Sequence, residues 1–293
     1  MNNAWRRVKS EEMQMTIDLQ TVGRELGPLT GQYDWRDTAL YAIGLSAGTE
    51  DLSYLVENPP HKVLPTYGIV PAFEPVFELL KATGGNMVTL LHSAQRTELV
   101  RPFQKSGTLS TTAKIRGIWD MKIGAMIVIE TETAVDGEPT ARTSWQLLLR
   151  GEGGFGGERP PKLLNVRPPT GADPDFAVRV PTTENQALLY RLNGDINPIH
   201  SDPQIAAAAG FDRPILHGLC FYGIAGRVAL KELAGDDPAR FKSLEARFAK
   251  VVMPGDTLIV EGWKLDEPGR AAVTVTVEGS GDKAIAKGLF EYA

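Results

Sequence analysis

The chain has 293 residues, enough for two domains or one large one, and its 42% hydrophobic and 23% charged residues are typical of a soluble globular protein. The net charge of −5 argues against a nucleic-acid partner, because binding to phosphate groups requires a basic surface. The single cysteine, Cys220, excludes an intrachain disulfide. No apolar run reaches 18 residues, and the N-terminus lacks the apolar core of a signal peptide. We therefore expect a cytoplasmic protein with no membrane partner.

The first half of the chain predicts a helix followed by strands. Apolar residues recur at helical spacing in residues 37–48. Residues 108–120, 124–135 and 141–151 are rich in Thr, Val, Ile and Trp, and the pair Asp136-Gly137 separates the last two stretches. Such a pair between alternating stretches is a hairpin signal, so we predict an antiparallel meander of three strands.

A stretch rich in glycine and proline, residues 151–169, shows no sustained periodicity and is predicted to be a linker or flap. On this basis the chain divides into residues 1–150, the linker 151–169, and residues 170–293. The glycines of the linker are not followed by the Lys-Ser/Thr pair of a phosphate-binding loop, so the sequence does not predict a nucleotide site there.

The second half repeats the plan of the first, with strand patterns at residues 256–265, 271–279 and 284–293. The segments that lead into the strands also match. Residues 100–109 and 250–258 each contain a proline, then a glycine turn, then Thr-Leu. We therefore predict a duplication, in which two copies of one α+β unit follow each other along the chain.

The two copies differ at one corner. When the glycines that end the two predicted helices are aligned, Thr49 stands opposite Asp195, and Asp51 stands opposite Asn197. His200 has no counterpart in the first copy. If chemistry occurs at this corner, only the second copy can perform it.

The stretch LNGDINPIHSDP, residues 192–203, concentrates polar side chains just after a predicted helix. We expect Thr182 or Thr183 to cap that helix and Gly194 to end it in a left-handed conformation. The following loop contains a proline, which restricts its own backbone and that of the residue before it. Such a loop can present three side chains toward one point: Asp195, Asn197 and His200.

Residues 218–233 are apolar almost all round, a pattern typical of a buried helix. The start of this helix, at Gly218, offers free backbone N–H groups and the positive end of the helix dipole. Both can stabilise a developing oxyanion, and a glycine lets a ligand approach the backbone closely.

These stretches together resemble the MaoC-like family of (R)-specific enoyl-CoA hydratases. The signature is YRLNGDINPIHSDPQIAAAAGF with RPILHGLC, and LPTYGIVP, LLHSAQRTELVRPF and ARFAKVVMPGDTL are similar to the two-repeat type-2 hydratase of peroxisomal multifunctional enzymes. The resemblance covers residues 33–293. It implies an α+β double hot-dog fold, in which each repeat wraps an antiparallel sheet around a central helix. It also implies a homodimer, and a reaction that needs neither a metal nor another cofactor.

The resemblance implies that the chain adds water to trans-2-enoyl-CoA and forms (3R)-3-hydroxyacyl-CoA. Asp195, His200 and Asn197 would carry catalysis, and the N–H of Gly218 would supply the oxyanion hole. The residue types fit this reaction, because water must lose a proton beside C3, a proton must reach C2, and negative charge builds on the thioester oxygen. Whether Asp195 or His200 deprotonates the water is open at this point.

The resemblance also implies residues that contact the CoA thioester substrate. The first repeat would be a degenerate copy that binds the acyl-CoA. At the position of the family's His-Gly pair, this repeat has His92-Ser93. A lysine is expected near a strand turn, where Lys122 is the nearest candidate and Met121 holds the strict position. The full predicted set of substrate contacts is His92, Ser93, Lys122, Pro198, Ile199 and Phe248.

Several alternatives remain beside this hypothesis. The same site could work in reverse as a (3R)-hydroxyacyl-thioester dehydratase, with a CoA or acyl-carrier-protein substrate. Hydrolysis of the thioester, or non-catalytic binding of acyl-CoA, would use the same fold. Locally, the polar loop could be a self-bonded turn, Cys220 could be a nucleophile, and Asp195, His200 and His217 are residue types that could bind a metal.

Overall fold

One antiparallel sheet of ten strands organises the molecule. The computed structural model describes residues 17–57, 60–162 and 164–293. The strands are β1 (Glu25–Tyr33), β2 (Leu90–Leu99), β3 (Gly107–Asp120), β4 (Gly124–Val135), β5 (Glu138–Arg150), β6 (Phe176–Pro181), β7 (Phe241–Phe248), β8 (Thr257–Lys264), β9 (Arg270–Val277) and β10 (Lys283–Tyr292). The helices are α1 (Trp35–Gly44), α2 (Phe73–Ala82), α3 (Gln186–Tyr190), α4 (Pro203–Ala208) and α5 (Gly218–Ala234).

The strand order reveals the duplication. The order across the sheet is β1-β3-β4-β5-β2-β7-β10-β9-β8-β6. Read from its outer edge to the centre, the first half runs β1-β3-β4-β5-β2 and the second half runs β6-β8-β9-β10-β7, so corresponding strands hold the same positions. The halves join where β2 pairs antiparallel with β7, from Ala94 opposite Arg247 to Glu98 opposite Ser243. Both predicted meanders, β3-β4-β5 and β8-β9-β10, are present. The predicted α+β double hot-dog architecture is thus confirmed.

Each half of the sheet packs on a central helix. In the second half this is α5, in which 14 of 17 residues are buried, as its apolar sequence predicts. In the first half it is the 3-10 segment Pro65–Ala72 followed by α2. The approach is close at Gly226, where an added Cβ would lie 2.9 Å from Thr66 Cγ2. The two central segments therefore contact each other directly and hold the two repeats together.

The helix before the polar loop is shorter than the sequence predicts. Neither predicted threonine caps it, because α3 begins only at Gln186, with Asn185 as its N-cap. The hydroxyl of Thr182 donates to the carbonyl of Asp256 at 2.7 Å, and that of Thr183 donates to Asn185 Oδ1. After Tyr190 the chain tightens into a 3-10 turn that ends at Gly194, whose φ of 117° is the expected left-handed conformation. The end of the helix, and so the start of the loop, is where the sequence places it.

The predicted linker folds back against the first repeat. The backbone N–H groups of Gly154 and Gly156 donate to the two carboxylate oxygens of Asp120, at 2.9 and 2.7 Å. These hydrogen bonds hold the pKa of Asp120 below its usual value. The division of the chain at residues 151–169 stays a prediction. The prediction that the N-terminus carries no signal peptide falls on residues 1–16, which lie outside the described residues. Within the described part, no helix is long and apolar enough to cross a bilayer.

Candidate active site

A short loop after α3 positions the polar side chains. The backbone N–H of Asn197 donates to Asp195 Oδ1 at 3.3 Å, and that of Ile199 donates to Asn197 Oδ1 at 3.2 Å. Asn197 thereby caps the 3-10 turn Pro198–His200. Asp195 and His200 are buried, with 8% and 9% of their surface exposed. The loop therefore holds a carboxylate and an imidazole away from bulk water, which a solvated surface turn does not do.

The tautomer of His200 follows from its hydrogen bond. Its Nδ1 lies 2.9 Å from the carbonyl oxygen of Ile215, and a carbonyl can only accept, so Nδ1 carries the proton. In the neutral ring Nε2 is therefore unprotonated and can accept a proton. This is the state that a general base requires.

A second histidine supports the first. His217 is fully buried, and its ring stacks on that of His200 with centroids 3.7 Å apart. Its Nε2 donates to the backbone carbonyl of Asp195 at 3.1 Å. His217 thus fixes both the ring plane of His200 and the backbone that carries the Asp195 carboxylate.

Burial governs the protonation of this cluster. It raises the pKa of Asp195, although the nearby His200 opposes that shift, and it lowers the pKa of His200, which Asp195 opposes. It also holds the pKa of His217 well below its usual value, with the neighbouring His200 acting in the same direction. Both histidines are therefore neutral at neutral pH.

The spacing of these groups suits a shared water molecule. One ligand atom each from Asp195, His200 and His217 all lie within 4.8 Å of one another. Two groups that each hydrogen-bond one water at about 2.8 Å can be separated by this distance. The lone pair of an imidazole nitrogen lies in the plane of its ring. When two rings stack face to face, their lone pairs therefore lie in neighbouring planes and do not converge on one ion. The stacking of His200 on His217 thus favours a water-binding arrangement over a metal-binding one.

The cluster opens into a cavity of about 390 Å³. Its wall includes Gly218, the first residue of α5, where an added Cβ would lie 3.6 Å from the ring of Phe248. A helix of 17 residues directs its free N–H groups and positive dipole end at this wall. The apolar lining is large: Val76, Phe77, Leu90, Trp145, Leu147, Phe211, Leu216, Leu219 and Phe221. The cavity can therefore hold an apolar chain beside a polar reaction centre.

The structure brings most of the predicted site residues to this cavity. The residues that line it are Asp195, Asn197, His200, Gly218, His92, Ser93, Ile199 and Phe248. Lys122 and Pro198 are not among the lining residues. Lys122 sits in the β3–β4 turn, where its backbone N–H donates to Asp120, and Pro198 is held within the loop as the first residue of its 3-10 turn.

His92 is part of the cavity wall. The strand register shifts between His92 and Ala94, and this bulge lets His92 stack on Trp145, with centroids 5.2 Å apart, and meet Phe248 edge-on at 5.1 Å. Burial lowers the pKa of His92 to about 4. The hydroxyl of Ser93 is engaged with the carbonyl of Gln146 at 2.9 Å. A neutral, aromatic-packed histidine suits contact with an uncharged part of a ligand.

Two cationic residues at the cavity were missed in the sequence: Arg150 and Lys250. Arg150 is the last residue of β5 and Lys250 follows β7 by two residues, but nothing in the local pattern shows that the two strand ends lie side by side. By contrast, Cys220 does not act as a thiolate. Its sulfur lies 3.3 Å from the carbonyl of Gly44, and burial raises its pKa well above the usual value.

Two family models match successive parts of the chain. Residues 32–151 match the model of the MFE-2 hydratase 2 N-terminal domain, and residues 165–284 match the MaoC like domain. Among solved structures, a MaoC-like dehydratase from Phytophthora capsici superposes with a TM-score of 0.84 at 29% identity, covering 94% of this chain and 98% of that one. A Mycobacterium tuberculosis protein described as a double hot-dog fold superposes with a TM-score of 0.56 at 13% identity, covering 92% and 96%.

Curated relatives match over nearly the whole chain. The 3-hydroxyacyl-thioester dehydratase Y of Mycobacterium tuberculosis is 42% identical, covering 91% of this chain and 93% of that protein. The enoyl-CoA hydratase ChsH3 of the same organism is 39% identical, covering 92% and 96%. The mouse peroxisomal multifunctional enzyme type 2 is 36% identical, covering 90% of this chain and 37% of that longer enzyme. The chain therefore belongs to the MaoC-like hydratase family, in the two-repeat form that pairs an MFE-2 hydratase 2 N-terminal domain with a MaoC-like domain.

Proposed function

We propose that this chain is a hydro-lyase that adds water to trans-2-enoyl-CoA and yields (3R)-3-hydroxyacyl-CoA. One observation carries the proposal. The buried pair Asp195 and His200 faces a largely apolar cavity, with His200 Nε2 free to accept a proton and the N-terminus of α5 in the same wall. Relatives named as enoyl-CoA hydratases and a 3-hydroxyacyl-thioester dehydratase support this reaction.

The proposed reaction moves one proton and one hydroxyl group. Asp195 and His200 hold a water beside C3 of the enoyl thioester. The water oxygen bonds to C3 while His200 Nε2 takes its proton, and the C2–C3 π electrons move onto the thioester oxygen. The N–H of Gly218 stabilises that oxygen, a contribution of about 3 kcal/mol for such donors. The imidazolium, stabilised by the Asp195 carboxylate, then returns the proton to C2. No cofactor takes part in these steps.

Asn197 has a supporting part in this mechanism. Its side-chain oxygen accepts from the N–H of Ile199 and its own N–H donates to Asp195, so it fixes the loop between the two proton-carrying groups. We assign to it the orientation of Asp195 and the water, and we assign to Ile199 and Phe248 contact with the acyl thioester.

The reverse direction uses the same groups. A catalyst accelerates both directions, so elimination of water from a (3R)-hydroxyacyl thioester is the alternative physiological role, and the 42%-identical relative carries a dehydratase name. The wider features of the proposal are a catalytic repeat at residues 170–293, a substrate-binding repeat at residues 1–150, and a homodimer. The cytoplasmic location stays a prediction, since the named relatives include peroxisomal proteins.

To test this proposal, the protein is mixed with crotonyl-CoA or with a longer trans-2-enoyl-CoA, and both the conjugated-enoyl absorbance and the release of free thiol are followed. We expect loss of the conjugated-enoyl absorbance without release of free thiol. Thiol release at the same rate as loss of the thioester would identify a thioesterase, because the water would then attack the carbonyl carbon. No change with either substrate would leave only a binding protein and contradict the proposal.

A further inference from the structure

Two cations from different repeats stand at one edge of the cavity. Arg150 is the last residue of β5, and Lys250 follows the end of β7 by two residues. Strands β5 and β7 both pair antiparallel with β2, which lies between them, so they run parallel and end on the same side. Two strand spacings separate their backbones, which is about 10 Å. Both residues line the cavity that contains Asp195.

Among the described residues, carboxylates do little to neutralise the two charges at this edge. No carboxylate in the described part of the chain pairs with Arg150. Lys250 Nζ lies 3.9 Å from Asp282 Oδ1, with both side chains more than half exposed, and such a pair contributes little. The only carboxylate among the described lining residues is Asp195. The molecule as a whole carries a charge of −5, so this edge is positive on a negative protein.

Apolar side chains lie beside the two cations. Val88, Leu91 and Val251 also line the cavity, and their exposed fractions of 75%, 42% and 42% are unusual for large aliphatic residues. Exposed apolar groups at a cavity mouth mark a surface that a ligand covers. The rim thus suits a ligand with a weakly polar arm that enters the cavity and an anionic head that stays outside it.

We propose that Arg150 and Lys250 bind the phosphate groups of coenzyme A at the mouth of the active-site cavity. The inference rests on the proposed function, because it names the part of the CoA thioester that these residues recognise. The guanidinium of Arg150 offers paired N–H donors that match phosphate oxygens, and Lys250 adds a point charge on the other side of β2. The apolar rim covers the pantetheine arm that leads from the phosphates to the thioester.

The test compares crotonyl-CoA with crotonyl-pantetheine, which lacks the nucleotide of CoA and with it all three phosphate groups. In Arg150→Ala and Lys250→Ala we expect KM for crotonyl-CoA to rise about tenfold each, with kcat within twofold, since each contact is a charge-assisted hydrogen bond. The kcat/KM for crotonyl-pantetheine should not change. Lys242→Ala is the charge-matched control, because Lys242 is exposed at the opposite end of β7 and should leave both substrates unaffected.

Two outcomes overturn the phosphate site. One is an equal loss of kcat/KM with both thioesters, or the same loss in Lys242→Ala. The other is loss of activity only with a crotonyl thioester of an acyl-carrier protein, which would assign the two cations to an acidic partner protein. Calorimetric binding of free CoA against free pantetheine gives a readout without turnover. If the wild-type protein binds CoA no better than pantetheine, the site is refuted whether or not the chain is a hydratase.

Discussion

At the scale of single residues, burial and Coulomb attraction compete at the Asp195–His200 pair. Attraction alone would make an ion pair with a protonated His200, and burial alone would keep both groups neutral. The pKa of His200 is lowered, with burial as the larger cause, so the desolvation effect wins there. His217 reinforces this state, because its ring covers one face of His200 and removes water from it. The loop thus keeps His200 available as a neutral base beside Asp195.

The pH dependence of the reaction follows from this balance. We expect kcat/KM for crotonyl-CoA to be level at neutral pH and to fall only below pH 6.5, the usual pKa of histidine, because protonation of His200 removes the base. Protonation of Asp195 as the pH falls acts in the same direction. The pH–rate profile between pH 4 and 9 checks this, with circular dichroism at each pH as the control for folding. A midpoint above pH 7 would show that attraction by Asp195 outweighs burial.

At the scale of elements, the corner of the first repeat that corresponds to the polar loop has a structural use. Asp51, which aligns with Asn197, is buried and its Oδ2 accepts from Arg227 Nη1 of α5 at 2.8 Å. Lys231 of the same helix lies 3.3 Å from the other carboxylate oxygen. At this corner the second repeat carries a loop with a histidine. The first repeat carries instead an ion pair, which anchors α5 of the second repeat.

Removal of this ion pair should lower the stability of the fold and leave catalysis nearly unchanged. Asp51→Ala leaves the buried guanidinium of Arg227 without its carboxylate, and we expect the free energy of unfolding to drop by about 3 kcal/mol in urea denaturation. The kcat of the folded fraction should stay within threefold, because α5 begins at Gly218, two and a half turns away from Arg227. Asp266→Ala, at an exposed loop position, is the control and should be neutral. A large loss of kcat without loss of stability would instead place Asp51 in the catalytic machinery.

At the scale of the whole molecule, the sequence predicts the duplication, but it predicts only in part how the two repeats pack together. Strand periodicity and the turn pair Asp136-Gly137 predict both meanders, and the polar loop with Gly218 predicts the reaction centre. The sequence does not show that β2 and β7 form the seam of one sheet, since pairing between distant strands leaves no local pattern. For that reason Arg150 and Lys250 could not be associated with the cavity in advance. The stacking of His217 on His200 likewise depends on how α5 packs.

The central claim is that Asp195 and His200 together add water to the enoyl thioester on one face. The most direct measurement is chiral analysis of the 3-hydroxybutyryl-CoA formed from crotonyl-CoA by the wild-type protein and by the variants Asp195→Asn and His200→Gln. We predict a (3R) product, and a fall in kcat of about 10²–10⁴ in each variant with unchanged circular dichroism. A (3S) or racemic product, or full activity in either variant, would contradict it.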